Sequence, residues 1–366
     1  MSVEYLLALH SVFSLLGKKI ITLMDYFGDA EECWRNEAEW QEALGVNNNV
    51  MKEILTEKRC VEPAAVYEQF IKSGARFVTM TDEDYPEKLR DIANPPYLLY
   101  YKGSLPDEDE IGIAMIGSRR ATAYGLQATE YISRQLAKQD VTVISGLARG
   151  IDSAGHKGSL AVGGRNVGVL GCGIDVVYPK ENAKLFRLVE ENGCIISEFP
   201  LGAQPLPKNF VMRNRLVSGL ADGVVVVEAT KKSGTQITVD YALEQGRTVF
   251  AVPGPIFSPM SKGTHSLIRD DNIKLVTCAD DIMEDIMAER MLCGKQMQMD
   301  FCKDALAGLS DTERRIWDYL VTARHFNEIV EFIDMNAAEI APVLTVMEVR
   351  GFVSRQDGQY YIRKNL

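Results

Sequence analysis

GVVVVEATKKSGTQITVDYALEQGRTVFAV (223–252) contains two apolar runs separated by a polar helical stretch. The first run, Gly223–Glu228, holds four valines in succession with no polar alternation. Such a run suits a central strand covered on both faces, because β-branched side chains pack well on a pleated surface. Ser233-Gly234 then breaks the chain, Thr235–Gln245 carries helix-forming residues, and Thr248–Val252 returns to strand composition. Strand, helix and strand in about 30 residues make a parallel unit with a right-handed crossover.

The alternation extends on both sides. Strands are predicted at Ile111–Ile116, Val141–Ser145, Asn166–Leu170, Cys194–Ser197 and Lys274–Val276, with helices at Tyr124–Gln139 and Asn182–Asn192. The predicted class is α/β, an extended Rossmann-like, doubly wound, mostly parallel sheet. It occupies a middle domain, residues 76–289. Residues 1–75 read as a helical domain, because Tyr5, Leu6, Leu9 and Phe13, then Ile20, Leu23 and Phe27, recur at helical spacing. Residues 290–304 read as a linker rich in Met, Lys and Gln. Residues 305–366 read as a C-terminal winged-helix domain. Ser310 and Glu313 form a capping box there, helices are expected at Phe326–Ile333 and Ala337–Arg350, and Asp357-Gly358 is a hairpin turn signal.

No apolar run reaches the roughly 20 residues that a membrane helix needs. The opening MSVEYLLALHSVF has no basic region before its apolar residues, so no signal peptide and a cytoplasmic location are expected. The 7 cysteines are scattered without a CxxC pair, which argues for free thiols and against a zinc site. The net charge of −11 argues against nucleic acid when taken alone. Its distribution is uneven: Ile111–Arg269 holds 18 Lys+Arg against 12 Asp+Glu, a net of +6 that leaves −17 for the rest. An acidic total therefore leaves room for a basic groove.

In a doubly wound sheet, ligands bind beyond the carboxyl ends of the strands. Four loops expected there combine glycine, hydroxyl and basic residues. The first holds Gly117, Ser118, Arg119 and Arg120 before a helix, whose free N–H groups would add to a phosphate clamp. The second holds Ser145, Gly146 and Arg149, with Ser145 a possible donor to an oxyanion and Asp152 one turn before His156, a pair that suits helix fastening better than catalysis. The third carries Gly171 and Gly173, then Lys180 and Asn182; a lone GxG does not support NAD, and no cofactor is expected. The fourth carries Lys208, Phe210, Arg213, Asn214 and Arg215, and the run Ser233, Gly234, Thr235 opens another helix suited to anions. There is no P-loop, GxSxG elbow or HExxH motif, and no nucleophile–base pair, so the chain does not read as an enzyme.

IGSRRAT (116–122), ISGLARGIDSAGHKGSL (144–160), LGCGIDVVYPKEN (170–182), SEFPLG (197–202), FVMRNRLVSGLADGVVVVEA (210–229), SGTQITVDYALEQGR (233–247) and VPGPIFSPMSKGTHSLI (252–268) together resemble the DNA-processing protein A (DprA/Smf) family. DEDYPEKLRDIANPPYLLYYKG (82–103) resembles that family's entry into the domain. The resemblance implies a protein that binds single-stranded DNA, dimerises, and helps load the RecA recombinase during natural transformation. It places Arg119, Lys180 and Arg213-Asn214-Arg215 along the DNA groove, and the segment from His265 to Leu275 in self-association. If four cations bind phosphate, log affinity falls with log salt at a slope of about −2.8. Two such grooves joined in a dimer along one strand reinforce each other.

Two other readings share the phosphate loops. A nucleotide phosphoribohydrolase of the lysine-decarboxylase-like group needs a glutamate where this chain has Thr238. A module binding a free nucleotide is the second. The helix Ala337–Arg350 holds two glutamates and one arginine, too few cations for a duplex-reading helix, so a protein contact or only weak duplex binding is expected there.

Overall fold

The computed structural model describes residues 2–13, 17–106, 111–231, 233–271, 273–292, 309–320, 323–350, 352–356 and 360–363. The chain divides into two compact units, Met1–Ile286 and Met287–Leu366.

The first unit opens with helices α1 (Val3–Phe13), α2 (Gly17–Phe27), α3 (Ala30–Arg35), α4 (Trp40–Leu44), α5 (Asn48–Arg59) and α6 (Pro63–Ser73). Local chemistry sets their starts. Asp29 and Asn47 accept backbone N–H bonds at the first turns of α3 and α5, and Pro63 opens α6, where a missing N–H costs nothing. These helices pack as a layer against the sheet: Leu6, Leu9, Phe13 and Trp40 share one core with Leu98, Tyr100, Leu170, Ile174 and Leu185.

The sheet strands are β1 (Arg76–Thr79), β2 (Leu98–Gly103), β3 (Gly112–Ile116), β4 (Thr142–Ser145), β5 (Asn166–Val169), β6 (Gly193–Ser197), β7 (Gly223–Val226), β8 (Thr248–Ala251) and β9 (Lys274–Leu275). Their order is β1-β2-β6-β5-β4-β3-β7-β8-β9. From β6 to β9 every pair is parallel, as the strand–helix alternation predicts. β1 and β2 extend the sheet antiparallel beyond β6, an addition the sequence reading missed. The crossovers are α7 (Ala123–Ala137), α8 (Ile151–Leu160), α9 (Ala183–Glu191), α10 (Pro207–Leu220), α11 (Thr235–Glu244) and α12 (Lys262–Asp270), and a further helix, α13, is described over 279–292.

The valine run behaves as its composition requires. Val224 and Val226 face one apolar layer with Leu216, Leu220 and Val239, while Val225 and Val227 face the other with Ile132, Leu136 and Ile282. Each of these buried valines contributes about 1.5–3 kcal/mol of hydrophobic stabilisation before ordering entropy is subtracted. The chain winds outward from β3 in one direction and from β7 in the other, so the switch point lies between these two strands.

The second unit holds α14 (Asp311–Tyr319), α15 (Phe326–Ile333) and α16 (Ala337–Val349) with β10 (Arg324–His325), β11 (Val353–Gln356) and β12 (Tyr360–Arg363) in an antiparallel sheet of order β10-β12-β11. The capping box is present: Ser310 Oγ accepts the Glu313 N–H, and Glu313 accepts the Ser310 N–H. Ile316, Ile329, Ile340, Leu344 and Phe352 form its core. Of the linker expected at 290–304, residues 290–292 instead close helix α13, and the rest, like the expected turn at Asp357-Gly358, lies outside the described residues. Among the described residues no helix is long and apolar enough to cross a membrane.

Candidate functional site

A cleft of about 660 Å³ opens at the carboxyl ends of β3 and β7, where strand order reverses. It brings together Gly117, Ser118, Arg119, Arg120, Gly146, Phe210, Arg213, Asn214, Ser233, Gly234 and Thr235 from the predicted set. Residues from the end of β3, the loops after β3, β4 and β5, and helices α10 and α11 thus meet at one rim.

The first loop is pinned by its backbone. The Ser118 N–H donates to the Glu228 carbonyl at 2.8 Å, and the Ile151 N–H donates to the Ser118 carbonyl at 3.3 Å. This close approach of the first two loops requires Gly150, at φ +75, where a Cβ would lie 2.2 Å from the Ser118 oxygen. Arg119 and Arg120 remain exposed. One expectation is corrected: the start of α7 is not a free anion site. The buried Glu228 carboxylate accepts the Thr122 N–H at 2.8 Å and the Thr122 hydroxyl at 2.6 Å. It already supplies the negative charge that this helix end favours. A carboxylate directly after the valine run was the sequence signal for it.

The second loop corrects the reading of Ser145 and gives Asp152 and His156 structural roles, with separate partners. Ser145 is fully buried and its hydroxyl donates to the Met115 carbonyl at 2.6 Å, so it offers nothing to an oxyanion. Asp152 and His156 do not pair. Asp152 accepts the Gly146 and Ala148 N–H groups at 3.2 and 3.4 Å, holding the turn that carries Gly146. Burial pushes its carboxyl pKa up, and Arg213 pulls it back.

His156 Nδ1 instead lies 2.9 Å from Asn166 Oδ1 in the core. Burial pushes its pKa down to about 4. An unfolded chain takes up this proton near pH 6.5, so the stability from holding the ring neutral is present above that value and lost as pH falls toward 4. The expected loss at pH 5 is about 2 kcal/mol. Melting temperatures measured from pH 7 to pH 5 check it: His156→Gln, whose side chain cannot gain charge, should lose less than the parent, and parallel curves would contradict the assignment.

The largest correction concerns 207–215, read as a loop. It is the first half of α10, with Pro207 at its start. Residues two apart on a helix point to different sides. Arg213 is only 3% exposed; its Nη1 donates to the Gly146 carbonyl at 2.9 Å and also to the Val169 carbonyl. Burial pushes its pKa down to about 10. Gly146 makes room for it, since a Cβ there would lie 2.4 Å from Arg213 Nη2. Arg213 is thus a floor post of the cleft and not a surface cation. Arg215 lies away from the cleft altogether, 5% exposed and ion-paired with Glu198, itself 2% exposed. Of the three residues of this block, Asn214 alone keeps a half-exposed side chain beside the cleft.

Three side chains build an aromatic wall. The Phe210 ring lies 5.4 Å from the Tyr178 ring, between centroids, and the Arg119 guanidinium sits 5.2 Å over Phe210. Tyr178 is 39% exposed. Sequence reasoning missed it as a site residue, although an aromatic two positions before a singled-out lysine was a visible signal. Opposite, Ser233, Gly234 and Thr235 open α11 into the cleft, with the Thr235 N–H donating to Ser233 Oγ at 3.2 Å.

The remaining predicted residues divide. Lys180 and Lys208 are exposed and outside the residues lining the cleft. Arg149 is exposed and ion-paired with Glu181. Asn182 is not available as a ligand donor: its amide donates to the Leu147 carbonyl and to Ser153 Oγ, both at 2.9 Å. A smaller recess beside Arg119 adds Arg149, Ser153 and Lys157. His265 is half-buried with Nε2 against the Gly254 carbonyl at 2.9 Å, and Leu275 is exposed on the edge strand β9. Among the described residues no cluster of His, Cys, Asp and Glu could hold a metal ion.

The family model described as DNA recombination-mediator protein A matches residues 76–287. The protein Smf of Synechocystis sp. is 29% identical over 93% of this chain and 94% of its own. The X-ray structure of DNA processing protein A from Streptococcus pneumoniae superposes with a TM-score of 0.67 at 33% identity, covering 77% of this chain and 97% of that one. DNA processing protein A from Helicobacter pylori, solved for its single-stranded DNA binding mode, has a TM-score of 0.52 at 27% identity and covers 59% of this chain and 98% of its own.

Proposed function

The chain belongs to the DNA recombination-mediator protein A family, the DprA/Smf proteins, and from that membership we propose that its cleft binds single-stranded DNA. In this reading the protein works in the cytoplasm, protects incoming DNA and helps load the RecA recombinase in natural transformation. It pairs with a second copy through the His265–Leu275 segment. The observation that carries the reading is the juxtaposition of Arg119, Phe210 and Tyr178 at the switch point. An unpaired base has a free face to stack on an aromatic ring, worth about 1–3 kcal/mol per base, while exposed cations hold the adjacent phosphates. A duplex hides those faces.

The cleft supports binding and not catalysis. Thr238 lines it where a phosphoribohydrolase needs its glutamate. The Asp152 carboxylate is committed to two backbone N–H groups, and His156 is buried against Asn166. The domain boundaries that go with this function are a helical domain over 1–75, the DNA-binding sheet domain over 76–289 and a winged helix over 305–366. In the last, the exposed residues of α16 include Ala338, Ala341, Pro342 and Thr345, which favours a protein contact over duplex reading.

Fluorescence anisotropy tests the function. A labelled oligothymidylate should bind about fivefold or more tightly than a duplex of equal length, the gain of one stacked base or more. Nucleoside monophosphates in large excess should leave the oligonucleotide bound. Displacement by micromolar mononucleotide would favour a free-nucleotide module, and equal affinity for duplex would remove the stacking role.

A further inference from the structure

The loop that carries Tyr178 stands on the N-terminal helices. Leu170, Cys172 and Ile174, which lead into the loop after β5, share one core with Phe70 of α6 and with the residues of α1 to α5. On the exposed side of α6, Gln69 Nε2 donates to Asp175 Oδ2 at 3.0 Å. The same carboxylate accepts the Gly202 N–H, at 2.8 Å to Oδ1 and 3.1 Å to Oδ2. The Gly173 N–H donates to the Ala203 carbonyl at 2.9 Å. Asp175 therefore ties the loop after β5 to the loop after β6, and Gln69 ties both to α6. Tyr178 lies three residues beyond Asp175, and Pro205 and Pro207 follow Gly202; all three line the cleft.

We propose that Gln69 and Asp175 are positioning residues for single-strand binding, through which α6 fixes the angle at which the Tyr178 ring meets Phe210. The inference rests on the function proposed above. Neither residue lines the cleft. Their effect is on stacking and not on phosphate neutralisation, and that difference is measurable. Losing a phosphate contact changes the slope of log affinity against log salt, whereas losing stacking geometry lowers affinity at every salt concentration and leaves the slope alone.

The test uses the full chain with Gln69→Ala, Asp175→Ala, the double variant and Gln69→Lys. Affinity for labelled oligothymidylate is measured across a salt series, with 2-aminopurine fluorescence reporting stacking. Gln69→Ala should weaken binding about three- to tenfold, with reduced quenching, an unchanged slope and an unchanged melting temperature. The double variant should be no weaker than Asp175→Ala alone, because both remove one linkage. Gln69→Lys, which can reach the same carboxylate, should restore quenching. Parent-like binding by Gln69→Ala, or additive losses in the double variant, overturns the proposal while leaving single-strand binding intact. Failure of the parent itself to bind the oligonucleotide overturns the function and this inference together.

Discussion

Arg119→Ala is expected to lower affinity for single-stranded DNA by about ten- to a hundredfold at moderate salt, the loss of a charge-assisted bond of about 1.5–3 kcal/mol. Arg119 is the exposed cation that sits over the aromatic wall. Its backbone is anchored on either side, by Ser118 N–H to the Glu228 carbonyl and by Arg120 N–H to Ser118 Oγ at 3.0 Å. Removing the side chain leaves that anchoring intact, so the melting temperature should hold. Arg119→Lys separates two contributions. It keeps the charge for a phosphate but loses the planar group that stacks on Phe210, so it should recover only part of the affinity. Full recovery would mean that charge alone matters, and an alanine variant that binds like the parent would remove Arg119 from the site.

Glu198→Ala is expected to do the opposite: destabilise the fold by about 3–5 kcal/mol, with any loss of DNA binding following from unfolding. Glu198 and Arg215 are both almost fully buried and paired with each other. Taking away the carboxylate strands a guanidinium in the core, and that uncompensated charge is what costs. Replacing both partners with apolar residues of similar volume, as in Glu198→Met with Arg215→Met, should recover much of the stability. Denaturant unfolding of the single and double variants measures this. A single variant within about 0.5 kcal/mol of the parent would show that the pair carries little of the fold's stability.

The two arginines of one short motif therefore have different fates, and the reason shows what could be read in advance. The valine run and the parallel alternation were legible because apolar continuity and helix–strand spacing are local patterns. The glycine-rich turns were legible as a class because a strand end must turn before its helix. The fate of a given arginine was not, since it depends on which way α10 faces. The stretch 207–215 was read as a loop, although Pro207 suits the first turn of a helix. Once 207–220 is a helix, Arg213 and Arg215 must point apart, and neither reaches solvent. Ser145 and Asn182 failed for a related reason. Their polar groups satisfy buried backbone acceptors far along the chain, Met115 and Leu147, pairings that only the folded state reveals. β1 and β2 were missed because they pair antiparallel, outside the strand–helix alternation that identified the rest.

The most direct measurement is the salt dependence of oligothymidylate binding by the parent chain and by Arg119→Ala. With Arg119 and Arg120, the two exposed cations among the described residues lining the cleft, meeting phosphates, the parent should give a slope of about −1.4 or steeper, and Arg119→Ala a slope shallower by about 0.7. A parent slope near zero, or a variant whose slope and affinity both match the parent's, would mean that no DNA strand lies along the rim where Arg119, Phe210 and Tyr178 meet.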